Sequence, residues 1–278
     1  MKSVFIVCFL LVNLQVLATN FEPVGAGSKG SANTFLNHAD VWTSMNHAAS
    51  MPLFGKTGFA VQAERKYNIK NFQSLALAYV QAFKNDNYLG FSVYRFGDEL
   101  FNFSRFNLSY SKQIGLFSIG IGTEFLQWHI EEKKNTFKPI FNLSGQARVI
   151  KDKLLIGAQA INLLQQELSS YQNEVVPSVL SAGMLYKHNT QINILAEFQI
   201  QTYQNPIPKL AIEYSPIEKL TFRIGVSNTN PIYHAGLGIN LKQWQLGYSY
   251  ISHPQLNSSQ CISLAFYPNF KPKNINVK

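Results

Sequence analysis

The chain has 278 residues, a hydrophobic fraction of 46%, an aromatic fraction of 13%, a charged fraction of only 14% and a formal net charge of +9. Soluble domains carry roughly 25% charged residues, so much of this surface is not built for water. Beyond the N-terminus, however, no stretch reaches the ~20 apolar residues of a membrane-spanning helix. The lysines are spread among turns, with no basic run or helical stripe, which argues against nucleic acid as a partner.

Residues 1–18 read as a secretory signal peptide, with Lys2 as the charged start, Val4 to Leu17 as the apolar core and Ala18 as a small residue suited to cleavage. The apolar core is too short to serve as a membrane anchor. Cleavage removes Cys8 and leaves Cys261 alone, so no internal disulfide is expected. Residues 19–56 differ from the rest of the mature chain. Phe21 to Gly30 is glycine-rich and does not alternate, and Ser31 to Pro52 mixes small, polar and apolar residues around Asp40 and Trp42 in a way that suits a short helix. A plug folded into a barrel lumen reads this way, and so does a periplasmic tail.

From Thr57 to Tyr267 apolar and polar residues alternate at period two, which gives the two faces of a strand opposite solvents. Phe117, Ile119 and Ile121 oppose Ser118, Gly120 and Gly122; Leu220, Phe222, Ile224 and Val226 oppose Thr221, Arg223, Gly225 and Ser227. The pattern predicts about fourteen strands, over 57–67, 72–83, 87–96, 101–111, 115–128, 137–149, 154–162, 178–187, 190–202, 208–214, 219–228, 232–241, 243–251 and 259–267. Short connections, each with a lysine (Lys84, Lys112, Lys151, Lys187, Lys219, Lys242), take turns with longer ones such as 129–136, 163–176, 203–206 and 252–258. Aromatics gather near strand ends, among them Phe72, Phe83, Tyr88, Trp128, Phe137, Tyr186, Tyr233, Trp244 and Tyr267, as interfacial girdles do. Together these features predict an all-β fold: a transmembrane antiparallel β-barrel of about 14 strands with a small N-terminal plug, in a bacterial outer membrane, short turns toward the periplasm. Residues 268–278 would form a periplasmic tail. Pro139 and Pro208, near strand starts, are where a break in strand pairing is expected.

Parity sends six charged residues into the lumen: Arg105, Glu124, Arg148, Glu197, Glu213 and Arg223. Three acids and three bases can brace the barrel, fix the plug or line a solute path. The histidines His129, His188, His234 and His253 are scattered, no metal-ligand spacing occurs, and no helix follows Gly120-Ile121-Gly122 to make a phosphate loop. Neither an enzyme nor a cofactor is expected.

The segment Gly25-Ala26-Gly27-Ser28-Lys29-Gly30, followed by Asp40 and Asn46-His47-Ala48-Ala49, resembles the opening of the FadL-type outer-membrane β-barrel superfamily, and its Bacteroidetes PorV/PorQ-like branch in particular. The run Arg95 to Asn102 and the closing stretch His253 to Leu264 are similar to hairpins of that branch. The resemblance covers the whole mature chain through short motifs. It implies fourteen strands and a hatch in which Gly25, Gly27, Gly30, Asp40 and Asn46 take part. Two features depart from the family: His47 stands where a proline is usual, and the outer loops are short. Two functions are implied: a plugged channel for small hydrophobic solutes, or a type IX secretion-associated shuttle barrel that binds secreted proteins. The partners are then outer-membrane lipid with hydrophobic small molecules or secretion-system proteins.

Overall fold

In a computed structural model the chain is described over residues 21–268, except Asn37, 132–134, Asp152, 170–173, Tyr203 and 229–230. The expected signal peptide and nearly all of the expected C-terminal tail lie outside the described residues. Three short helices, α1 (Ala26–Gly30), α2 (Thr43–Asn46) and α3 (Met51–Phe54), with a single 3-10 turn at Ala48–Ser50, precede the strands. The strands are β1 (Gly58–Arg65), β2 (Gln73–Ala82), β3 (Asn87–Gly97), β4 (Phe101–Ile114), β5 (Phe117–Ile130), β6 (Thr136–Ile150), β7 (Leu154–Ile161), β8 (Glu167–Ser169), β9 (Glu174–Val175), β10 (Val179–Lys187), β11 (Ile192–Gln201), β12 (Ile207–Ile217), β13 (Leu220–Ser227), β14 (Ile232–Leu241), β15 (Trp244–Ser252) and β16 (Ser259–Phe266).

Fourteen strands close into one antiparallel barrel in sequence order, with β1 paired to β16 through Ala63 opposite Ile262. The small pair β8–β9 sits within the long connection between β7 and β10. Burial follows the period-two pattern, strictly so in β1 and most of β2. The outward residues are large and apolar: Leu75 is 65% exposed, Ile224 62% and Ile262 57%. The inward ones are Ser, Asn, Gln, Gly and charged residues. No described helix is long and apolar enough to cross a membrane. A closed ladder with an apolar outside is the remaining way to cross, because it pairs every strand and leaves no edge in hydrocarbon. The protein is an outer-membrane β-barrel.

At one end of the barrel the connections are tight. Asn85 and Asp86 turn the chain from β2 to β3 in left-handed conformations (φ 60° and 55°), which these two residue types tolerate. Gly115 does the same from β4 to β5 (φ 60°). The opposite, loop end carries 162–178 and 253–258, though its β3–β4 connection spans just 98–100. Strand β4 runs to Ile114, past the expected end at 111, so Lys112 lies in β4 rather than in the turn, and β5 is displaced by two residues from the expected 115–128.

Two expectations need correction. Tyr88, Trp128 and Tyr267 are not girdle residues: all three are buried and pack with the N-terminal segment or beside it. Phe83, Phe137, Tyr186, Tyr233 and Trp244 do stay exposed on the outside. Nor do Pro139 and Pro208 break the ladder, since both stand in register, opposite Phe125 and Phe198. The register shifts fall instead near the turn end, between Arg148 and Ile150 and between Tyr214 and Ile217.

Residues 21–56 fold inside the barrel. Helix α1 packs on β13–β16, and α2, the 3-10 turn and α3 pack on β2–β6. Phe21, Val24, Phe35, Leu36, Val41, Trp42, Met45 and Met51 are buried against inward Tyr94, Phe103, Leu126 and Ile140. Close approach needs glycine on both sides: a Cβ at Gly30 would sit 2.9 Å from the Cα of Gly236, and one at Gly120 would run into the Ala49 nitrogen.

Leu77, near the middle of β2, is 56% exposed. Leu77→Arg is expected to cost about 2–4 kcal/mol, read by urea titration of refolding into lipid vesicles. A cost near zero would show that this face does not meet hydrocarbon.

Candidate functional site: a plugged lumen and its loop-end pocket

The N-terminal plug is held to the wall by side chains rather than by strand pairing. Arg105 on β4 makes a two-pronged pair with Glu124 on β5, Nε to Oε2 at 2.7 Å and Nη2 to Oε1 at 3.1 Å. Its third nitrogen, Nη1, donates to the Glu22 carbonyl at 3.4 Å, and its guanidinium lies over the Phe21 ring. Asn142 also donates to Glu124 Oε1, at 2.7 Å. On β11, Glu197 accepts the backbone N–H groups of Phe35 and Leu36 at 2.8 and 3.0 Å. Lys209 on β12 pairs with Glu197 at 2.7 Å, donates to the Asn33 carbonyl and lies over the Phe35 ring. On β12 and β13, Glu213 and Arg223 pair at 2.9 Å, and Ser31 donates to the same carboxylate oxygen.

Five of the six charged residues picked out by parity, joined by Lys209, thus form three ion pairs, and each pair grips the plug or its neighbour strand. Arg148 is on the same inner face but stands near the turn end, opposite Leu155, and joins none of the ion pairs of the described residues. Parity could also have found Lys209 and Glu64, which are buried on inward positions of β12 and β1. It could not have found Lys29 and Glu22, because alternation says nothing about an irregular segment. Lys29 pairs with Glu64 at 2.8 Å and Glu22 at 3.4 Å, and Lys66 pairs with Glu22 at 2.6 Å. Burial works against the Lys29 ammonium, but the Glu64 and Glu22 carboxylates outweigh it and hold its pKa above the ordinary lysine value. For Glu22, burial is likewise overcome by Lys66 and Lys29, and its carboxyl is held well below the usual range.

The residues that carried the hatch resemblance all lie in this plug. Gly25 has φ 100° and donates its N–H to Gln62; a Cβ there would overlap the Trp42 ring. Gly27 runs past Asp40, where a Cβ would lie 3.5 Å from Oδ2. Asp40 accepts the Trp42 N–H at 2.9 Å, and burial pushes its carboxyl up. Asn46 accepts from the Val24 N–H at 2.8 Å and donates to the Val24 carbonyl at 2.7 Å, stitching the two halves of the plug together. Gly30 meets Gly236 of β14, backbone against backbone. His47, the departure from the family pattern, bonds Ser50 at 2.6 Å and reaches the Ala158 carbonyl on β7 at 3.3 Å. A proline would offer neither bond.

Above the plug, at the loop end, lies a pocket of about 340 Å³. Phe21, Pro23, Asn33 and Phe35 of the plug are its floor, and Ile207, Ile232 and Leu256 supply apolar wall beside Gln199, Asn228 and His253. No group of three or more His, Cys, Asp or Glu among the described residues could hold a metal ion.

Removing one partner of a buried pair strands a charge. Glu124→Ala, which leaves Arg105 at 1% exposure without its carboxylate, is expected to cost about 3–5 kcal/mol in vesicle refolding titrations. His47 gives a second test. Burial pulls its imidazole from 6.5 down to about 4, against the smaller pull of Ala158, Glu197 and Gly145. Between those pH values the unfolded chain binds a proton that the folded chain refuses, so the plug is fully stable above 6.5 and weakens as pH falls to about 4. The loss totals about 3 kcal/mol. Protease nicking of residues 21–56 should rise over that window, and His47→Gln should flatten the rise.

No protein-family model matches the chain, and no curated protein matches its sequence. Solved structures do match its fold. The Pseudomonas putida toluene transporter TodX aligns over 90% of this chain and 99% of its own, with TM-score 0.67 and 10% identity. A TodX monoaromatic hydrocarbon channel lacking S2 and S3 gives 0.68 at 10% identity over 90% and 100%. The CymD monoaromatic hydrocarbon channel gives 0.64 at 11% identity over 89% and 97%. The chain therefore has the fourteen-stranded outer-membrane barrel fold of the TodX and CymD channels, the architecture that its resemblance to the FadL-type superfamily implies.

Proposed function

We propose that this protein is a plugged outer-membrane channel that admits small hydrophobic solutes at its loop end. One observation carries the reading: the floor of the loop-end pocket is the plug itself, at Phe21, Pro23, Asn33 and Phe35. A solute resting there touches the element that blocks its way. About 340 Å³ with mixed apolar and polar walls suits a molecule of one or two rings or a short chain. TodX and CymD, whose fold this chain shares, are described as a toluene transporter and a monoaromatic hydrocarbon channel. In this reading the loop end faces outward and the turn end, with Lys84, Lys151, Lys153, Lys219 and Lys242, faces the periplasm. Of the six charged residues found by parity, Arg105, Glu124, Glu197, Glu213 and Arg223 serve to hold the plug, and Arg148 lines the lumen below it. The other reading, a type IX secretion-associated shuttle, draws no support from these neighbours, which are named as channels.

The plug is the test. Protein lacking residues 19–56 should pass hydrophobic solutes into vesicles several-fold faster than the full chain and show larger conductance. Glu197→Ala, which frees the Phe35 and Leu36 amides while leaving the plug in the chain, should move both measurements the same way by less. Uptake and conductance unchanged in both variants would sink the gated-channel reading.

A further inference from the structure

The plug does not meet the whole wall equally. Its helices pack chiefly on β13–β16 and on β2–β6. The wall between, formed by β7, β10, β11 and β12, is met mainly by the non-helical stretch from Ala32 to Leu36, by His47 and by Leu53.

The inner face of that wall is built in tiers, because antiparallel register sets matching positions side by side. Near the loop end Gln159 stands opposite Ser181, Ser181 opposite Gln199, and Val179 opposite Gln201. One step toward the turn end Gly157 faces Gly183, and Glu197 faces Lys209. The next step is apolar: Leu155, Leu185, Leu195 and Ala211 lie in one row, and Ala32 and Leu53 of the plug complete the cluster. Arg148 of β6, opposite Leu155, flanks this row, and beyond it the lumen opens again, with Lys187 and Asn193 partly exposed.

The upper tier is anomalous. Among the described residues, Gln159 Nε2, Ser181 Oγ and both side-chain amide atoms of Gln201 have no hydrogen-bond partner, although these residues are 8%, 4% and 1% exposed. An orphaned buried polar atom destabilises the fold, and four of them gather on three adjacent strands. Elsewhere on the inner face orphaned atoms occur singly, at Gln62 Nε2 on β1, Trp128 Nε1 on β5 and Ser249 Oγ on β15, and under α2 the polar groups are met: Ser92 bonds Ser44, and Ser109 and Asn107 both bond the Ser44 carbonyl. Gln199, in the same tier, lines the loop-end pocket, and Asn33 in the pocket floor has a fifth orphaned atom, Oδ1. The polar tier is thus continuous with the pocket. Its charges are already spent, since Glu197 and Lys209 satisfy each other and the backbone of the stretch from Asn33 to Leu36. What remains for a solute is a set of uncharged donors and acceptors.

We infer that the solute path runs down this wall, from the loop-end pocket onto the carboxamide and hydroxyl shelf of Gln159, Ser181 and Gln201, and then through the leucine tier. It selects molecules with an apolar body and one neutral hydrogen-bonding group, such as an aromatic alcohol, over bare hydrocarbon. The shelf satisfies the polar group, and the leucine tier passes the apolar body while resisting water and ions, as apolar constrictions do. This rests on the channel reading and names its path and solute class.

Cysteine accessibility tests the path without measuring transport. In a Cys261→Ala background reconstituted into vesicles, Ser181→Cys should react with a charged, membrane-impermeant thiosulfonate added from the loop side. Benzyl alcohol should slow that reaction, whereas Ser92→Cys, beneath Ser44, should stay unlabelled. Gln159→Leu with Ser181→Ala should lower the ratio of benzyl alcohol to toluene uptake several-fold, and Leu195→Ala should raise the uptake of both. Ser181→Cys that never reacts, or reacts no faster than Ser92→Cys, overturns the path even if uptake persists. Equal loss of both solutes in the double variant overturns the solute class. If neither solute enters through the unmodified protein, the channel reading fails, while the labelling pattern still decides whether the wall is open from the loop side.

Discussion

Everything in this molecule depends on a solvent that cannot hydrogen-bond. Inside a bilayer each unpaired N–H and C=O costs several kcal/mol. A sheet must then close on itself, and the β1–β16 ladder does so over seven residue pairs from Phe59 to Arg65. Once closed, every strand has an outside and an inside, and side chains can only alternate between them. The 14% charged fraction and the period-two pattern are two signs of that single constraint.

Closure creates a second problem, because a barrel of fourteen strands encloses more space than its own side chains fill. Residues 21–56 occupy that space, but they cannot join a ladder that is already complete. They attach through what the inner face offers: glycines that let backbone approach backbone, serines and asparagines that bond plug carbonyls, and ion pairs. The plugged lumen is shielded from water, so charges buried there must be paired, and Lys29, Arg105, Lys209 and Arg223 all are. Such pairs add little net stability compared with apolar packing, but they punish any displacement that separates them. They fix the position of the plug more than they strengthen the fold.

The interior is consequently uneven. Where helices press on the wall, apolar contacts and satisfied hydrogen bonds dominate. Where the plug is a non-helical turn and loop, from Ala32 to Leu36, it leaves polar groups of β7, β10 and β11 without partners among the described residues and gathers leucines at one level. A uniformly filled lumen would be a structural strut. An unevenly filled one, with a pocket at its loop end, has the makings of a route.

The amino-acid sequence by itself determined the strand number, the two faces, the order of short and long connections and the inward direction of Arg105, Glu124, Arg148, Glu197, Glu213 and Arg223. All of these depend on alternation, which is local and repeats every two residues. Only the tertiary structure decided which charges meet. Arg105 stands opposite Leu126 and reaches Glu124 diagonally, a relation set by cross-strand register. Lys29 and Glu22 reach Glu64 and Lys66 from an irregular segment with no period to read. Likewise Tyr88 and Trp128 carried the same aromatic signal as true girdle residues, yet both are buried in the cluster that the plug shares with the inner wall. Local pattern sets which way a side chain points. What it touches there depends on chain brought back from far away in sequence, and that is settled by closure and packing.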